Sequence, residues 1–283
     1  MRKQEAVFDI SYFRTNPQPF YTLAKSLNPD NYTPTITHAF ISLVARKGLL
    51  HKCFTQNIDT LERRAGVPAE KLVEAHGSFS SSRCIDCRKG FPHEFMEPHF
   101  VAGTVPRCDG CGGLVKPGIT FFGEALPSEF HDSVGMVEEA ELVVVMGSSL
   151  RVFPFSMLPE RSSETAVRLL INNERTGGIG SRRDDVVVIG SCDEGVRTLA
   201  AELDWLQELE TLWTSLGGKL KEDDDGVKLT IDEQIGKLTK EVEQGLNVAD
   251  QFKTNVQAEL KAQQQQDPKE TDKEAGRANV NGG

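Results

Sequence analysis

The stretch Glu141-Leu-Val-Val-Val-Met-Gly147 is a continuous apolar run with the length of one β-strand. Because polar and apolar residues do not alternate in it, both of its faces are predicted to be buried, as in a parallel sheet covered by helices. Similar runs occupy residues 168–172 and 185–190, and a shorter one occupies residues 52–56. Between these strands the pattern is helical at 59–65 and 127–140, and another helical pattern, at 193–205, follows the last strand. The sequence therefore predicts an α/β fold, a Rossmann-like doubly wound parallel sheet.

The overall composition is that of a folded protein with an acidic surface. The chain has 283 residues, 38% of them hydrophobic, and a formal net charge of −10 at pH 7. This charge argues against a nucleic-acid binder, which usually has a basic face, and suits a basic peptide or protein tail better. No apolar run is long enough to cross a membrane, and the first residues lack the apolar segment of a signal peptide. Six cysteines in such a chain indicate a reducing compartment, so we expect a cytoplasmic and/or nuclear protein.

Four of the cysteines have the spacing of a zinc site. Cys84 and Cys87 form one C-x2-C pair, Cys108 and Cys111 form another, and twenty residues separate the pairs. Four thiolates complete a tetrahedral shell, so the predicted zinc ion is structural and has no open position for catalysis. The surrounding segment, about residues 78–114, is too small to bury a core and would depend on the metal. The sequence predicts a zinc-ribbon module inserted into the α/β domain.

The composition changes after residue 217. The predicted domain of residues 1–217 is followed by an acidic linker at 218–230, an amphipathic helix at 231–265 and a disordered tail at 266–283. The helix is either a marginal, partly solvated one or a segment that docks on the domain or on a partner.

Three short polar segments are expected where parallel sheets bind ligands, at the carboxyl ends of strands. They are Thr55-Gln-Asn-Ile-Asp59, Glu74-Ala-His-Gly77 and Gly147-Ser-Ser149. Each one alone has an ordinary explanation. Asn57 or Asp59 suits a helix N-cap, a single histidine is often structural, and Gly-Ser-Ser is a common helix entry that also binds anions.

Taken together, these segments resemble one family. The order is Thr55–Asp59, Glu74–Gly77, the four cysteines, Val115–Glu124, Gly147–Leu150, Asn172–Glu174 and Cys192-Asp193. It resembles that of the sirtuins, the NAD-dependent protein deacetylases also called class III histone deacetylases. The resemblance covers about residues 5–215 and is closest to the eukaryotic cytoplasmic subgroup with fungal homologues.

The resemblance implies a reaction and a set of site residues. Acetyl-lysine and NAD would be converted to lysine, nicotinamide and O-acetyl-ADP-ribose, with His76 as the general base and Asn57 as a second catalytic residue. The implied NAD contacts are Gln56, Asn57, Ile58, Asp59, Gly147, Ser148, Ser149, Asn172, Asn173, Glu174 and Cys192. The implied substrate contacts, where an extended peptide would add as a strand, are Val115, Lys116, Pro117, Ile119, Phe122, Gly123 and Glu124. Expected cofactors are NAD and one structural Zn²⁺, and expected partners are acetylated proteins such as histone tails or tubulin-like cytosolic proteins, without direct contact to nucleic acid or membrane.

One part of the family pattern is not found. Sirtuins have a Gly-rich NAD loop, GAGxS, after their first strand, whereas the first glycine of this chain is Gly48. That loop gives N–H groups to the NAD pyrophosphate, and its strand is central in the sheet. We therefore expect weakened NAD binding and an exposed sheet edge. The alternative function is that of a catalytically impaired, truncated sirtuin that acts as a zinc-stapled module and binds peptides or partners.

Overall fold

The structure is a computed structural model that describes residues 5–27 and 29–219. Its strands are β1 (Cys53–Thr55), β2 (Leu72–Glu74), β3 (Ser82–Cys84), β4 (Gly90–Phe91), β5 (Val115–Pro117), β6 (Leu142–Met146), β7 (Val167–Asn172) and β8 (Val186–Ile189). Its α-helices are α1 (Ile10–Thr15), α2 (Gln18–Ala24), α3 (Ile36–Arg46), α4 (Leu61–Arg64), α5 (His93–Ala102), α6 (Ser128–Ser133), α7 (Cys192–Glu202) and α8 (Leu206–Ser215). Short 3₁₀ helices occupy Glu5–Phe8, Pro29–Asn31, Ala69–Lys71, Val134–Glu139 and Phe155–Arg161. Apart from Gly218 and Lys219, the predicted linker, helix and tail lie outside the described residues.

Five of the described strands are parallel: four lie in the predicted apolar runs, and the fifth, β2, lies outside them. β7 is paired on one side with β6 and on the other with β8. β1 is paired with β2 in a register that places Thr55 opposite Glu74. The strands therefore end level with their neighbours, which brings the segments that follow β1 and β2 together and those that follow β6, β7 and β8 together. This arrangement confirms the α/β fold.

Successive side chains of β7 enter two different cores. Leu169 and Ile171 pack with α3, α7 and α8, whereas Leu170 packs in a second core with Val145 and Val73. Because neighbouring side chains of a strand point to opposite faces, helices cover β7 on both sides. The result is a layered α/β arrangement in which both faces of the central strand are dry.

The parallel strands form two ladders, one of two strands and one of three. Within the described residues neither β1 nor β6 has a strand partner on its other edge. Val73 of β2 and Val145 of β6 nevertheless share one core, so side-chain packing connects the ladders. The edge of β6 is open at its start, where Leu142 is 52% exposed.

The zinc module has a small antiparallel sheet of its own. β3 lies between β4 and β5, with Arg83 opposite Lys116. β5 ends at Pro117, so this sheet extends three residues beyond the predicted limit at 114. The module also contains α5, which the sequence analysis does not predict, because Pro98 and several polar residues blur its helical pattern.

Other helix boundaries also differ from the predictions. The predicted helix at 193–205 ends at Glu202, and a turn with Asp204 at φ 58° separates it from α8. The predicted helix at 127–140 is α6 followed by the 3₁₀ helix Val134–Glu139. No described helix has both the length and the apolar character that crossing a membrane requires.

Candidate active site and metal centre

The four cysteines of the two C-x2-C pairs converge on one point. Their sulfur atoms all lie within 4.8 Å of one another, with Cys84 and Cys111 at 3.5 Å and Cys87 and Cys108 at 3.6 Å. Four sulfurs bound to one tetrahedral Zn²⁺ at ~2.3 Å would be about 3.8 Å apart. Among the described residues this is the one group of cysteine, histidine and carboxylate side chains close enough to hold a metal. The cluster therefore fits one structural zinc ion, as the spacing predicts.

The same tight turn shapes both pairs. The N–H of Arg88 donates to the carbonyl of Cys84 at 3.2 Å, and the N–H of Gly112 donates to the carbonyl of Cys108 at 2.8 Å. Both donors have left-handed backbones, with φ of 62° and 72°. An arginine in this conformation costs about 1 kcal/mol or more, which metal binding would offset.

Protonation of the cluster also suits a metal. Burial raises the pKa of the Cys84 thiol, but N–H groups of Cys87 and Asp86 and the Cys111 thiol lower it more, to about 7. The Gly113 N–H lowers the pKa of Cys111, but Cys84 and Cys87 raise it to about 12. Cys84 is thus the more acidic thiol of a pair whose sulfur atoms lie 3.5 Å apart. A bound cation would displace the thiol protons and leave thiolates as ligands.

The segment after β1 turns sharply and exposes its amide side chain. Thr55 Oγ1 accepts from the N–H of Asn57 at 3.1 Å, and Asp59 Oδ1 accepts from the N–H of Leu61 at 3.0 Å. The N-cap of α4 is Thr60, in a left-handed conformation, so Asp59 lies one residue before it. Asn57 is exposed, and Gln56 and Ile58 are half-buried. Neither Asn57 nor Asp59 therefore takes the N-cap position that the sequence allowed for them, and Asp59 instead closes a turn through its bond to Leu61.

The imidazole ring of His76 forms a hydrogen bond with the segment after β1. Its Nδ1 lies 3.2 Å from the carbonyl oxygen of Gln56. Because a carbonyl only accepts, Nδ1 carries the ring proton and donates it, which leaves the lone pair on Nε2. The neighbouring Glu74 is held by Arg63 through two bonds of 3.0 and 2.9 Å. The imidazole is thus oriented as a base in a half-buried position.

The segment after β6 touches the same place. Ser148 Oγ donates to Gln56 Oε1 at 3.3 Å and accepts from the N–H of Leu150 at 3.1 Å. This hydrogen bond joins the turn after β1 to the turn after β6. Ser149 is exposed beside it. Gln56 therefore links His76 and Ser148, which places the turns after β1, β2 and β6 side by side.

A second group of predicted NAD contacts lies at the ends of β6 and β7 and at the start of α7. Gly147 has φ of 60°, and a side chain there would meet Cys192 Sγ at 3.4 Å. Asn172 is buried and donates from Nδ2 to the carbonyl of Glu174 at 2.8 Å. Asn173 and Glu174 are exposed. The close backbone approach at Gly147 and the carboxylate of Glu174 suit the far end of a dinucleotide.

The predicted substrate segment is divided between interior and surface. Val115, Lys116, Pro117 and Ile119 are buried, whereas Phe122 and Gly123 are exposed and Glu124 is half-buried. The backbone of Phe122 is already paired, because its N–H donates to Phe8 at 2.7 Å and its carbonyl accepts from Ile10 at 3.1 Å. The exposed part of the segment is therefore a single supported turn.

Comparison with known proteins identifies the family of the chain. Residues 1–154 match the sequence model of the Sir2 family. The chain belongs to the Sir2 family. It is 47% identical to the NAD-dependent protein deacetylase hst2-1 of Emericella nidulans, over 92% of this chain and 73% of that one. It is 49% identical to hst2 of Schizosaccharomyces pombe, over 74% of this chain and 63% of that one. It is 43% identical to sirtuin-2 of Danio rerio, over 74% of this chain and 60% of that one.

Membership of the Sir2 family confirms the predicted family and its fungal affinity. The chain spans between 60% and 73% of the length of these three relatives. Sirtuins use NAD, and the two groups of residues around Gln56 and Gly147 have the donors, acceptors and open backbone that such a ligand needs.

Two features of this sirtuin pocket were not predicted from the sequence. Glu62 is 4% exposed beneath the turn after β1, and within the described part of the chain its Oε2 has no hydrogen-bond partner. Burial raises the pKa of Glu62, against a hydrogen bond to Thr55 that lowers it. Val152 and Phe153, 48% and 77% exposed, extend the surface after Ser148. The apolar pair beside Pro154 is a sequence signal that could have revealed the second feature, whereas no sequence signal marks Glu62.

Proposed function

We propose that the protein is an NAD-dependent protein-lysine deacetylase, which converts acetyl-lysine, NAD and water to lysine, nicotinamide and O-acetyl-ADP-ribose. The observation that carries the proposal is the orientation of His76, whose Nδ1 donates to the Gln56 carbonyl at 3.2 Å. A base fixed in this way beside Gln56 and Ser148 suits the reaction named in the curated relatives.

The residues have separable tasks in this reaction. NAD supplies a ribose carbon from which nicotinamide can leave and hydroxyl groups that can be deprotonated. His76 takes the proton at Nε2, since Nδ1 is engaged with Gln56, and the resulting imidazolium stays hydrogen-bonded to that carbonyl. The Asn57 amide, exposed at the turn, can bond both an amide and a hydroxyl. Asn172, Glu174 and the backbone at Gly147 orient the other end of NAD.

The zinc ion takes no part in the chemistry. With four thiolate ligands its shell is closed, so it offers no position for water or substrate. Its module instead supplies β5, from which the segment bearing Phe122 leads back to the pocket. Zinc would therefore act on activity through the stability of that segment.

The substrates we propose are acetylated lysines in basic protein segments, such as histone tails or tubulin-like cytosolic proteins. The formal net charge of −10 favours such partners over acidic ones. We propose the cytoplasm or nucleus as the location, because all six cysteines are free thiols in the fold and four of them are placed to bind zinc.

The test is the release of nicotinamide from NAD in the presence of an acetyl-lysine peptide. We expect release by the wild type, loss by at least ~100-fold in the His76→Ala variant, and no change in His131→Ala, which alters an exposed histidine of α6. NAD binding is measured in parallel by calorimetry. A well-folded wild type that neither binds NAD nor releases nicotinamide would overturn the proposal in favour of a zinc-stapled peptide- or partner-binding module.

A further inference from the structure

We propose that Lys116 is a positioning residue, which holds residues 119–124 in the conformation that presents Phe122 and fixes the turn of His76. The inference rests on the proposed function. It assigns to Lys116 a role different from direct contact with substrate, because its side chain is 0% exposed.

The ammonium group of Lys116 is surrounded by the segment that follows it. Its Nζ lies 2.9 Å from Glu124 Oε2 and donates to the carbonyl oxygens of Ile119 and, at 3.3 Å, Pro117. It also lies 4.3 Å from the centre of the Phe121 ring. Three donors of one lysine thus contact the start, middle and end of a nine-residue segment, which runs from 116 to 124. The buried ammonium group of Lys116 therefore holds the two ends of the segment close together.

Glu124, which pairs with this ammonium, also forms hydrogen bonds with the backbone of the same segment. Its Oε2 accepts from the N–H of Phe121 at 2.9 Å, and its own N–H donates to the Phe121 carbonyl at 2.9 Å. The carboxylate therefore fixes the backbone on either side of Phe122. Burial lowers the pKa of Lys116 and Glu124 raises it, so the buried ammonium depends on Glu124 for its charge.

The closed segment is attached directly to the catalytic turn. The N–H of Thr120 donates to the carbonyl of His76 at 2.7 Å. Gly77 and Gly118 approach so closely that a Cβ at Gly77 would lie 2.0 Å from the Gly118 carbonyl oxygen. A shift of residues 118–120 must therefore move the backbone of His76.

The far side of the segment rests on aromatic rings. The Phe121 ring is buried and lies 5.8, 5.4 and 5.1 Å, centre to centre, from those of Phe8, Phe13 and Phe20. The neighbouring Phe122 side chain is 52% exposed. Phe121 is thus held between the ammonium of Lys116 and three apolar rings, which leaves Phe122 in place at the surface.

The test compares Lys116→Met, which keeps the length of the side chain, with the double variant Lys116→Met/Glu124→Gln. The double variant removes the carboxylate that the single change leaves without its cation, and so guards against a failure to fold. Lys47→Met is the matched control, because Lys47 also pairs with a glutamate, Glu208 at 2.6 Å, and lies 4.7 Å from the centre of an aromatic ring.

Two measurements are made on each variant. Hydrogen exchange at the amides of Thr120 and Phe122 is expected to become at least ~10-fold faster in both Lys116 variants and to stay unchanged in the control. The KM for acetyl-lysine peptides is expected to rise by about tenfold, equally for acidic, neutral and basic peptides, while the KM for NAD changes by less than about twofold.

Unchanged amide exchange in folded Lys116 variants would overturn the proposal. A rise in KM confined to acidic peptides would also overturn it, because it would show direct contact between Lys116 and substrate. The exchange measurement needs no turnover, so a wild type without activity would refute the proposed function while the role of Lys116 is still decided.

Discussion

Replacing Asp185 by asparagine tests how the loop after β7 is held. Arg168, in the middle of the sheet, is fully buried and donates to both carboxylate oxygens of Asp185, at 2.8 and 2.7 Å. Asp185 also accepts from the N–H groups of Gly180 and Arg182 at 2.7 and 2.9 Å. One carboxylate therefore fastens the loop that begins at the predicted NAD contact Glu174 to the central strand.

The expected loss of stability depends on how the Arg168 guanidinium is neutralised once asparagine replaces Asp185. Breaking a buried ion pair from one side usually costs about 3–5 kcal/mol. Glu160, 2.9 Å from Arg168, still neutralises the guanidinium in the variant, so we expect the lower end, about 3 kcal/mol. For a folded unit of this size that is a fall in Tm of about 6–12 °C.

The acid dependence gives a second prediction for the same change. The Arg168 guanidinium holds the pKa of Asp185 well below its usual value of 3.8, although burial opposes this. A carboxyl with a lowered folded pKa stabilises the protein above its ordinary value and loses that contribution as pH falls below it. The wild type should therefore lose its advantage over the D185N variant progressively below about pH 4.

Thermal unfolding followed by circular dichroism at pH 7 and at pH 3 checks both expectations. Glu138→Gln is the control, because Glu138 forms an exposed pair with Arg161 whose loss should cost no more than about 1 kcal/mol. If D185N and E138Q have the same Tm at pH 7, or if the gap between D185N and wild type does not shrink in acid, the reasoning is refuted.

Three more predictions concern the metal, a close approach and a buried acid. Metal analysis should find about one zinc per chain, and Cys84→Ser should lose it together with several degrees of Tm; a wild type with no zinc would contradict this. Gly77→Ala should unfold the catalytic turn or abolish peptide binding, because the added Cβ would lie 2.0 Å from the Gly118 carbonyl oxygen. Gly135→Ala is the control: a Cβ there meets nothing within 4 Å, so Tm and peptide binding should not change. Because burial raises the pKa of Glu62 above 4.5, wild-type stability should fall as pH rises through that raised value, and Glu62→Gln should remove this loss. A melt in which E62Q is less stable than wild type at pH 8 would show that the carboxylate is needed.

The features that the sequence predicts well are those coded by neighbouring residues. The strand β6 follows from an unbroken apolar run, and the metal cluster follows from the spacing of two C-x2-C pairs. The expected proximity of Gln56 and His76 follows from two polar segments placed after parallel strands.

The features that sequence reasoning missed depend on contacts between distant residues. Lys116 is expected to contact substrate, whereas the pairing of β5 with β3 buries its side chain. The helix α3 is missed although its buried apolar residues Ile36, Phe40 and Leu43 recur at helical spacing. The helices α1 and α2 are missed because their apolar residues pack against particular distant neighbours, as Phe13 and Phe20 pack against Phe121. Partners of this kind are set by tertiary packing and leave little local pattern.

The division of the parallel strands into two ladders has a mechanical consequence. The base and its turn belong to the ladder of β1 and β2, whereas Gly147, Asn172 and Cys192 belong to that of β6, β7 and β8. Within the described residues, a hydrogen bond from Ser148 to Gln56 joins the turns of the two ladders. A core that contains side chains of both ladders also connects them. A ligand as long as a dinucleotide would contact both ladders at once and hold them together. The two ladders would then become more rigid as more of the site is occupied by the dinucleotide. A ligand-dependent loss of flexibility would therefore report directly that the dinucleotide is bound across both ladders.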